Sequence, residues 1–276
     1  MPVSQPSPGR PVAQVAGTAA FSKFMHLLQL VADTPEPMTV AGLSKASGYP
    51  RPTVYRIVAA LLAERLLAEQ PGSGALSLGP RLVQLASRSW GRSELRLAAV
   101  EDLKRLRDLT GETVHLAVPS GHQMVYIDKL ESPSAVRMAS RIGASVSMHA
   151  TAAGKAYLAM LDDEAREAVL AGLPQPFVRH TPNTLADMAA LRGQLAEARA
   201  RGWAVNAEEN EVGIYCFGAP VLGAGGVPVA AVSVSTLRFR QKDDPQQAYV
   251  APLLAACRAI SQRLAGTPAM SAAEVF

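Results

Sequence analysis

The sequence predicts an α/β (α+β) chain in two folded parts joined by a helical linker. Three observations carry this. Apolar residues recur at helical spacing from Gly17 to about residue 109, interrupted by one short hairpin pattern. From Glu112 the period changes to the two-residue alternation of strands, then mixes with helical segments. Those strands and helices do not alternate strictly, so an antiparallel-dominated sheet is expected and a Rossmann-type parallel one is not.

Taken in order, Phe21, Phe24, Met25, Leu28 and Val31 make one stripe of a first helix. Pro35 and Pro37 stop it, because two prolines in three residues cannot continue a helix. Thr39 is placed to cap a short second helix with Val40 and Leu43 inward. Gly48 suits a tight turn, and Val54, Ile57, Val58, Leu61 and Leu62 form the buried stripe of a third helix. Pro50 and Pro52 fall where backbone N–H groups lack intrahelical partners, so proline costs little there. Arg51, Thr53, Tyr55 and Arg56 lie on the other side, near that helix's start. These features fit a DNA-reading helix-turn-helix; alone, they fit an ordinary helical hairpin with a solvated face equally well. Residues 65–69 and 75–78 flank a Pro/Gly/Ser turn at 70–74 and read as a β-hairpin. Three helices followed by a hairpin make a winged helix over residues 17–80, with Ser73 and Gly74 in the wing.

Residues 81–110 form the expected helical linker. Leu82, Leu85 and Ala86 line one helix, Gly91 interrupts it, and Ser93 caps a second carrying Leu95, Ala99, Leu103 and Leu106. Such stripes suit contact with another helix, as across a dimer; a solvated tether is the alternative. Residues 111–265 make the second domain. A hairpin is expected over 113–118 and 123–128, a third strand over 135–140, and helices over 151–161, 163–171 and 185–201. Gly202 ends the last of these. Strands near 203–206, 215–222 and 227–235 precede a final helix over about 246–264. The Pro/Ser-rich stretch 1–16 and the segment 266–276 read as loose tails.

Composition bounds the function. The 276 residues are 49% apolar and 18% charged, enough for two cores and ordinary for a globular protein. No uninterrupted apolar run is long enough for a membrane span, the N-terminus lacks a signal core, and two cysteines make no disulfide framework. A reducing cytoplasm is therefore the expected location. Residues 1–92 carry nine Lys/Arg against four Asp/Glu, whereas residues 93–276 carry eighteen against nineteen. The positive excess lies with the part expected to meet phosphates.

Catalytic signatures are absent. Gly154-Lys155 is no P-loop, since His149 stands five before Gly154 and Ala156 follows the lysine. There is no H-E-x-x-H, C-x-x-C or G-x-S-x-G, and the five histidines lack ligand spacing, so no metal, cofactor or enzymatic activity is expected. What remains is small polar groups in an apolar setting: Asn206, Cys216, Ser233 and Ser235, with a helix start at Thr151. Ser233 and Ser235 share one face of a strand while Val232 and Val234 take the other. Hydroxyls so placed need partners, either neighbouring protein groups or a ligand. The helix start could offer N–H groups to the carboxylate of a small acid. An enzyme using Cys216 as nucleophile is the reading from another class, though no base stands at a telling distance.

PRPTVYRIVAALLAERLL, LSLGPRLVQLA, GETVHLAV, HATAAGKAYLAML, LAEARARGWAVNAEENEVGIYCFGAPV and AAVSVS, in this order and spacing, resemble the IclR family of bacterial transcription regulators across roughly residues 17–265. The resemblance implies an N-terminal winged helix-turn-helix, a helical linker and a C-terminal GAF/PAS-like effector-binding domain. It implies homodimers, often paired into tetramers, that bind near-palindromic operators on double-stranded DNA. Such regulators repress or activate genes, commonly for catabolism of small carboxylic or aromatic acids. By the same resemblance the effector-binding residues are Met138, Val146, Ala152, Ala153, Asn206, Cys216, Ser233 and Ser235. The DNA contacts are Arg51, Thr53, Tyr55, Arg56, Ser73 and Gly74. Two positions depart from the family pattern. Asn206 stands for an acid, replacing a negative charge with an amide, and Pro52 stands for a polar residue of the reading helix. The second departure keeps open a ligand-binding protein that no longer reads DNA.

Overall fold

A computed structural model describes residues 18–90 and 93–265 of the chain. The expected tails and the break at Gly91 lie outside the described residues. Two compact units divide the chain, Met1–Gly91 and Arg92–Phe276.

In the first unit, helices α1 (Ala19–Asp33), α2 (Val40–Ser47) and α3 (Arg51–Ala63) are followed by strands β1 (Leu67–Glu69) and β2 (Leu76–Leu78) and helix α4 (Pro80–Trp90). The expected winged helix-turn-helix forms. Thr39 caps α2 by accepting a hydrogen bond from the Gly42 N–H, and Gly48 ends α2 at φ +69°, a conformation that favours glycine. Leu27, Leu28, Val31, Leu43, Val54, Ile57, Val58 and Leu61 make the core with Leu67 and Leu76 of the hairpin.

Two expected stripes are corrected. In α1 the inward set is Phe24, Leu27, Leu28 and Val31, at spacing i, i+3, i+4, i+7, so Phe21 and Met25 fall outside that face and are exposed. In α4 Leu82 packs on the core, but Leu85 is exposed within the unit. The residues expected as a linker belong to both units, with α4 in the first and α5 (Glu94–Thr110) in the second.

The second unit is built on one six-stranded sheet with every pair antiparallel, in the order β5-β4-β3-β8-β7-β6. Its strands are β3 (Thr113–Ser120), β4 (Gln123–Leu130), β5 (Ser145–Ser147), β6 (Ala204–Ala207), β7 (Ile214–Leu222) and β8 (Pro228–Leu237). Ser93 caps α5, and Leu95, Ala99, Leu103 and Leu106 bury the helix against one sheet face together with α9 (Ala251–Ala265). The other face carries α6 (Ala152–Met160), with α7 (Asp163–Gly172) and α8 (Met188–Arg201) behind it.

The expected strand over 135–140 does not form. Lys129 Nζ donates to the carbonyls of Met138 and Ser140 at 3.0 and 2.7 Å, so a lysine takes the groups a ladder would use. The third strand is β5, five residues further on. Helix α8 starts at Met188, later than expected, because the Asp187 side chain accepts the Ala190 N–H and caps it there.

Helix α6 meets the sheet backbone to backbone. A Cβ on Gly218 of β7 would stand 2.4 Å from the Ala152 carbonyl oxygen, so only glycine permits this approach. Replacing Gly218 by Ala is expected to cost about 1–3 kcal/mol in urea unfolding. Gly193→Ala, in open space within α8, is the control and should stabilise by about 0.5–1 kcal/mol. Equal behaviour of the two variants would contradict the close contact.

Candidate functional site: a reading helix and a buried cavity

The first unit presents the start of α3. Pro50 is its N-cap and Pro52 lies within the first turn, where the missing N–H breaks no helical bond. The helix runs unbroken to Ala63. Its inner face holds Val54, Ile57, Val58 and Leu61, which leaves Arg51, Tyr55 and Arg56 exposed and Thr53 half-buried. Neither arginine makes a hydrogen bond or ion pair with any described residue. Tyr55 is 62% exposed. Ser73 and Gly74 lie at the β1–β2 turn, Ser73 exposed and Gly74 at φ +64°.

The second unit encloses a cavity of about 40 Å³ between the sheet and the start of α6. It is lined by Met138, Ala152, Ala153, Asn206, Cys216, Ser233 and Ser235, seven of the eight expected effector residues. Val146 is the exception. It pairs with Met124 across β5 and β4 and packs, half-buried, against the edge of the core cluster under α6, outside the cavity lining. The lining also includes Thr151, at the helix start the sequence pointed to, and His115, Tyr126, Ser140, Asn210, Glu211 and Ile214, which sequence reasoning did not assign to the pocket. Strand alternation could have put His115 on the serine face, but only with the pairing of β3 to β8 in hand.

Helix α6 brings its free N–H groups to the cavity. Thr151 caps it by accepting the Gly154 N–H at 3.2 Å. The amides of Ala152 and Ala153 belong to the first turn, where intrahelical acceptors are lacking. Asn206 accepts the Glu209 N–H through Oδ1 at 2.7 Å, which fixes the amide's orientation and leaves Nδ2 as a donor. The Cys216 thiol donates to Ser235 Oγ at 3.2 Å. Burial pushes that thiol up to about 11, so it stays protonated at neutral pH. Among the lining residues only Glu211 is charged; every donor is neutral.

Beneath this wall lies a buried ion pair. Lys155 Nζ donates to both oxygens of Glu209, at 2.5 and 2.7 Å, and to Gln194 Oε1 at 2.5 Å. All three ammonium protons are used. Burial pulls Lys155 below the usual lysine range, while Glu209 favours its charged form. Thr184 donates to the Glu209 carbonyl at 2.6 Å, so the turn leaving β6 is held at both backbone and side chain.

Known proteins match both units. Residues 21–71 match the family described as the IclR helix-turn-helix domain, and residues 88–262 that described as bacterial transcriptional regulator IclR C-terminal. The chain is 33% identical over 245 residues to the HTH-type transcriptional regulator XynR of Escherichia coli, covering 89% of this chain and 96% of that protein. It is 31% identical to the E. coli HTH-type transcriptional repressor AllR, covering 87% and 88%. The crystal structure of the Thermotoga maritima IclR superimposes with a TM-score of 0.72 at 29% identity, covering 89% and 98%. An IclR homolog from Microbacterium hydrocarbonoxydans, complexed with 4-hydroxybenzoate, superimposes at 0.77 with 25% identity, covering 90% and 100%.

The ion pair yields a stability test. Glu209→Gln leaves a buried ammonium without counter-charge and should cost about 3–5 kcal/mol in chemical unfolding. Lys155→Met combined with Glu209→Gln should recover most of that loss. A double variant as weak as the single one would show that the pair is not what the site depends on.

Proposed function

The chain belongs to the IclR family of bacterial transcriptional regulators, and from that premise we propose how it reads DNA and what it answers to. Helix α3 enters the major groove of an operator, with Arg51 and Arg56 on phosphates or guanine edges and Thr53 and Tyr55 on phosphate or base. Ser73 and Gly74 of the wing meet the adjacent backbone. The observation that carries this reading is the pair of exposed arginines at the start of α3, neither engaged by any described residue. An arginine held by no carboxylate of its own chain is available to a phosphate. Pro52 supports the reading as well, since α3 keeps its full length with proline in its first turn.

The effector is a small carboxylic acid held at the start of α6. Two backbone N–H groups, the Asn206 amide and the serine hydroxyls supply neutral donors to an anion. The cavity is small, about 40 Å³, which favours a compact acid over a bulky one. Cys216 serves as a ligand contact. A protonated, buried thiol that donates to Ser235 is a poor nucleophile, which speaks against an enzyme. No helix among the described residues is long and apolar enough to cross a membrane. The protein acts in the cytoplasm on a near-palindromic operator as a homodimer or a tetramer of paired dimers. Effector occupancy biases the arrangement of its reading heads, and so the regulation of a catabolic operon.

Two experiments test this. In gel shifts on the chain's own upstream region, Arg56→Ala should weaken specific binding by about 1–3 kcal/mol or flatten the salt dependence by about one charge. An unchanged affinity and slope would remove Arg56 from the interface. In thermal-shift assays, two- to four-carbon carboxylic acids should raise the melting temperature with concentration, and 4-hydroxybenzoate less so. No shift from any of them would contradict the acid reading.

A further inference from the structure

His115 stands in the middle of β3, opposite Ser233 on β8, and is buried in the cavity wall. It stacks on Tyr126 with ring centroids 4.5 Å apart. Its two ring nitrogens meet two serines of the cavity from different elements. Nδ1 lies 3.4 Å from Ser235 Oγ on β8, and Nε2 lies 2.8 Å from Ser140 Oγ on the segment between β4 and β5. Ser235 Oγ also receives the Cys216 thiol proton. Lys129 holds the carbonyl of Ser140 from the other side. The polar side of the cavity is therefore one connected chain, Cys216 to Ser235 to His115 to Ser140.

We infer that His115 is a specificity-determining positioning residue of the cavity: its two ring nitrogens fix the hydroxyls of Ser140 and Ser235 and so decide which hydrogen-bonding atoms an effector meets. This rests on the reading of the cavity as the effector site. The charged and titratable groups around the ring are Lys129 and Tyr126 on β4 and Cys216 on β7, with Glu211 on the loop before β7. Burial and the Lys129 ammonium hold the imidazole down to about 3, so the ring is neutral at physiological pH.

A neutral imidazole has one donor nitrogen and one acceptor nitrogen. Ser235 Oγ accepts the Cys216 S–H, and in the proton order proposed for this wall its own hydroxyl donates to Nδ1. Nε2 then carries the ring proton and donates it to Ser140. The Ser140 hydroxyl proton is left over for the cavity, alongside the Asn206 amide. The opposite tautomer would turn the Ser140 proton into the ring and withdraw that donor. In this order the wall offers donors, and the matching ligand group is an unprotonated oxygen, a carboxylate or a carbonyl.

Two measurements on the full chain decide the matter. In ¹⁵N-histidine spectra of the ligand-free protein, His115, assigned by its loss in His115→Gln, should be in the Nε2–H form and should not titrate between about pH 5 and pH 8. An Nδ1–H form, or titration at about pH 6.5, would overturn the proton order and the inference with it. In calorimetric titrations with acetate and glycolate, His115→Phe should weaken binding by at least about tenfold. His115→Gln, which keeps an amide donor near the place of Nε2, should stay within about threefold. Chemical unfolding of each variant reports folding independently of acid binding. Equal acid affinity in wild type and His115→Phe overturns the inference alone. Failure of both acids to bind wild type overturns the effector reading itself.

Discussion

An ammonium and a carboxylate removed from water hold the second unit's cavity in shape. Lys155 reaches from α6 to Glu209 in the turn after β6 and to Gln194 on α8, so one charge ties three elements together. Charges cannot be left alone in such a place, because the desolvation cost of either is recovered only through the other. Everything the cavity offers is arranged around this pair. Helix α6 starts at Ala152, three residues before Lys155, and Asn206 is oriented by the backbone N–H of Glu209 itself. The ion pair is thus less a source of stability than a device for register.

Because Lys155 is neutralised from below, the cavity above it is free of cationic side chains. The donors an anion would meet are dipoles, backbone N–H groups, an amide and hydroxyls, with the Glu211 carboxylate as the one charge in the lining. Dipoles of this kind are directional and already oriented, so they discriminate by geometry and by proton position more than by charge. The glycine at 218 makes the arrangement possible, since the helix could not come this close to β7 with any side chain there. Close approach, buried pair and oriented dipoles depend on one another.

The first unit follows a different logic. Its core is a small apolar cluster, and its outward helix start is occupied by residues that have nothing to bind within the described chain. A surface of free arginines is costly for solubility in no way, but it is wasted unless a polyanion meets it. Elsewhere arginines are paired: Arg81 of the same unit meets Glu64. In the second unit, arginines such as Arg192 and Arg240 are spent on carboxylates of the same chain.

Much of this was legible in the residues. Helical spacing marked the buried face of α3 and hence the polarity of the reading helix. Period-two alternation put Ser233 and Ser235 on one face and Val232 and Val234 on the other, as the structure has them. Caps at Thr39 and Ser93 and the turns at Gly48 and Gly202 are local chemistry, and they fell where local chemistry placed them. The misreadings share a cause. Residues 135–140 have the composition of a strand, but a lysine from β4 claims their carbonyls. Val146 carries an apolar side chain suited to a cavity wall, but its pairing with Met124 sends it to the edge of the core. His115 meets Ser235 across 120 residues of sequence. The sequence by itself determined the fold class, the two-part organisation and the buried faces of α3, α5 and β8, because these follow from periodicity over a few residues. Which faces meet, which groups are cut off from water and where the cavity's protons sit were decided only by the tertiary structure, because strand pairing and desolvation act between residues far apart in the chain.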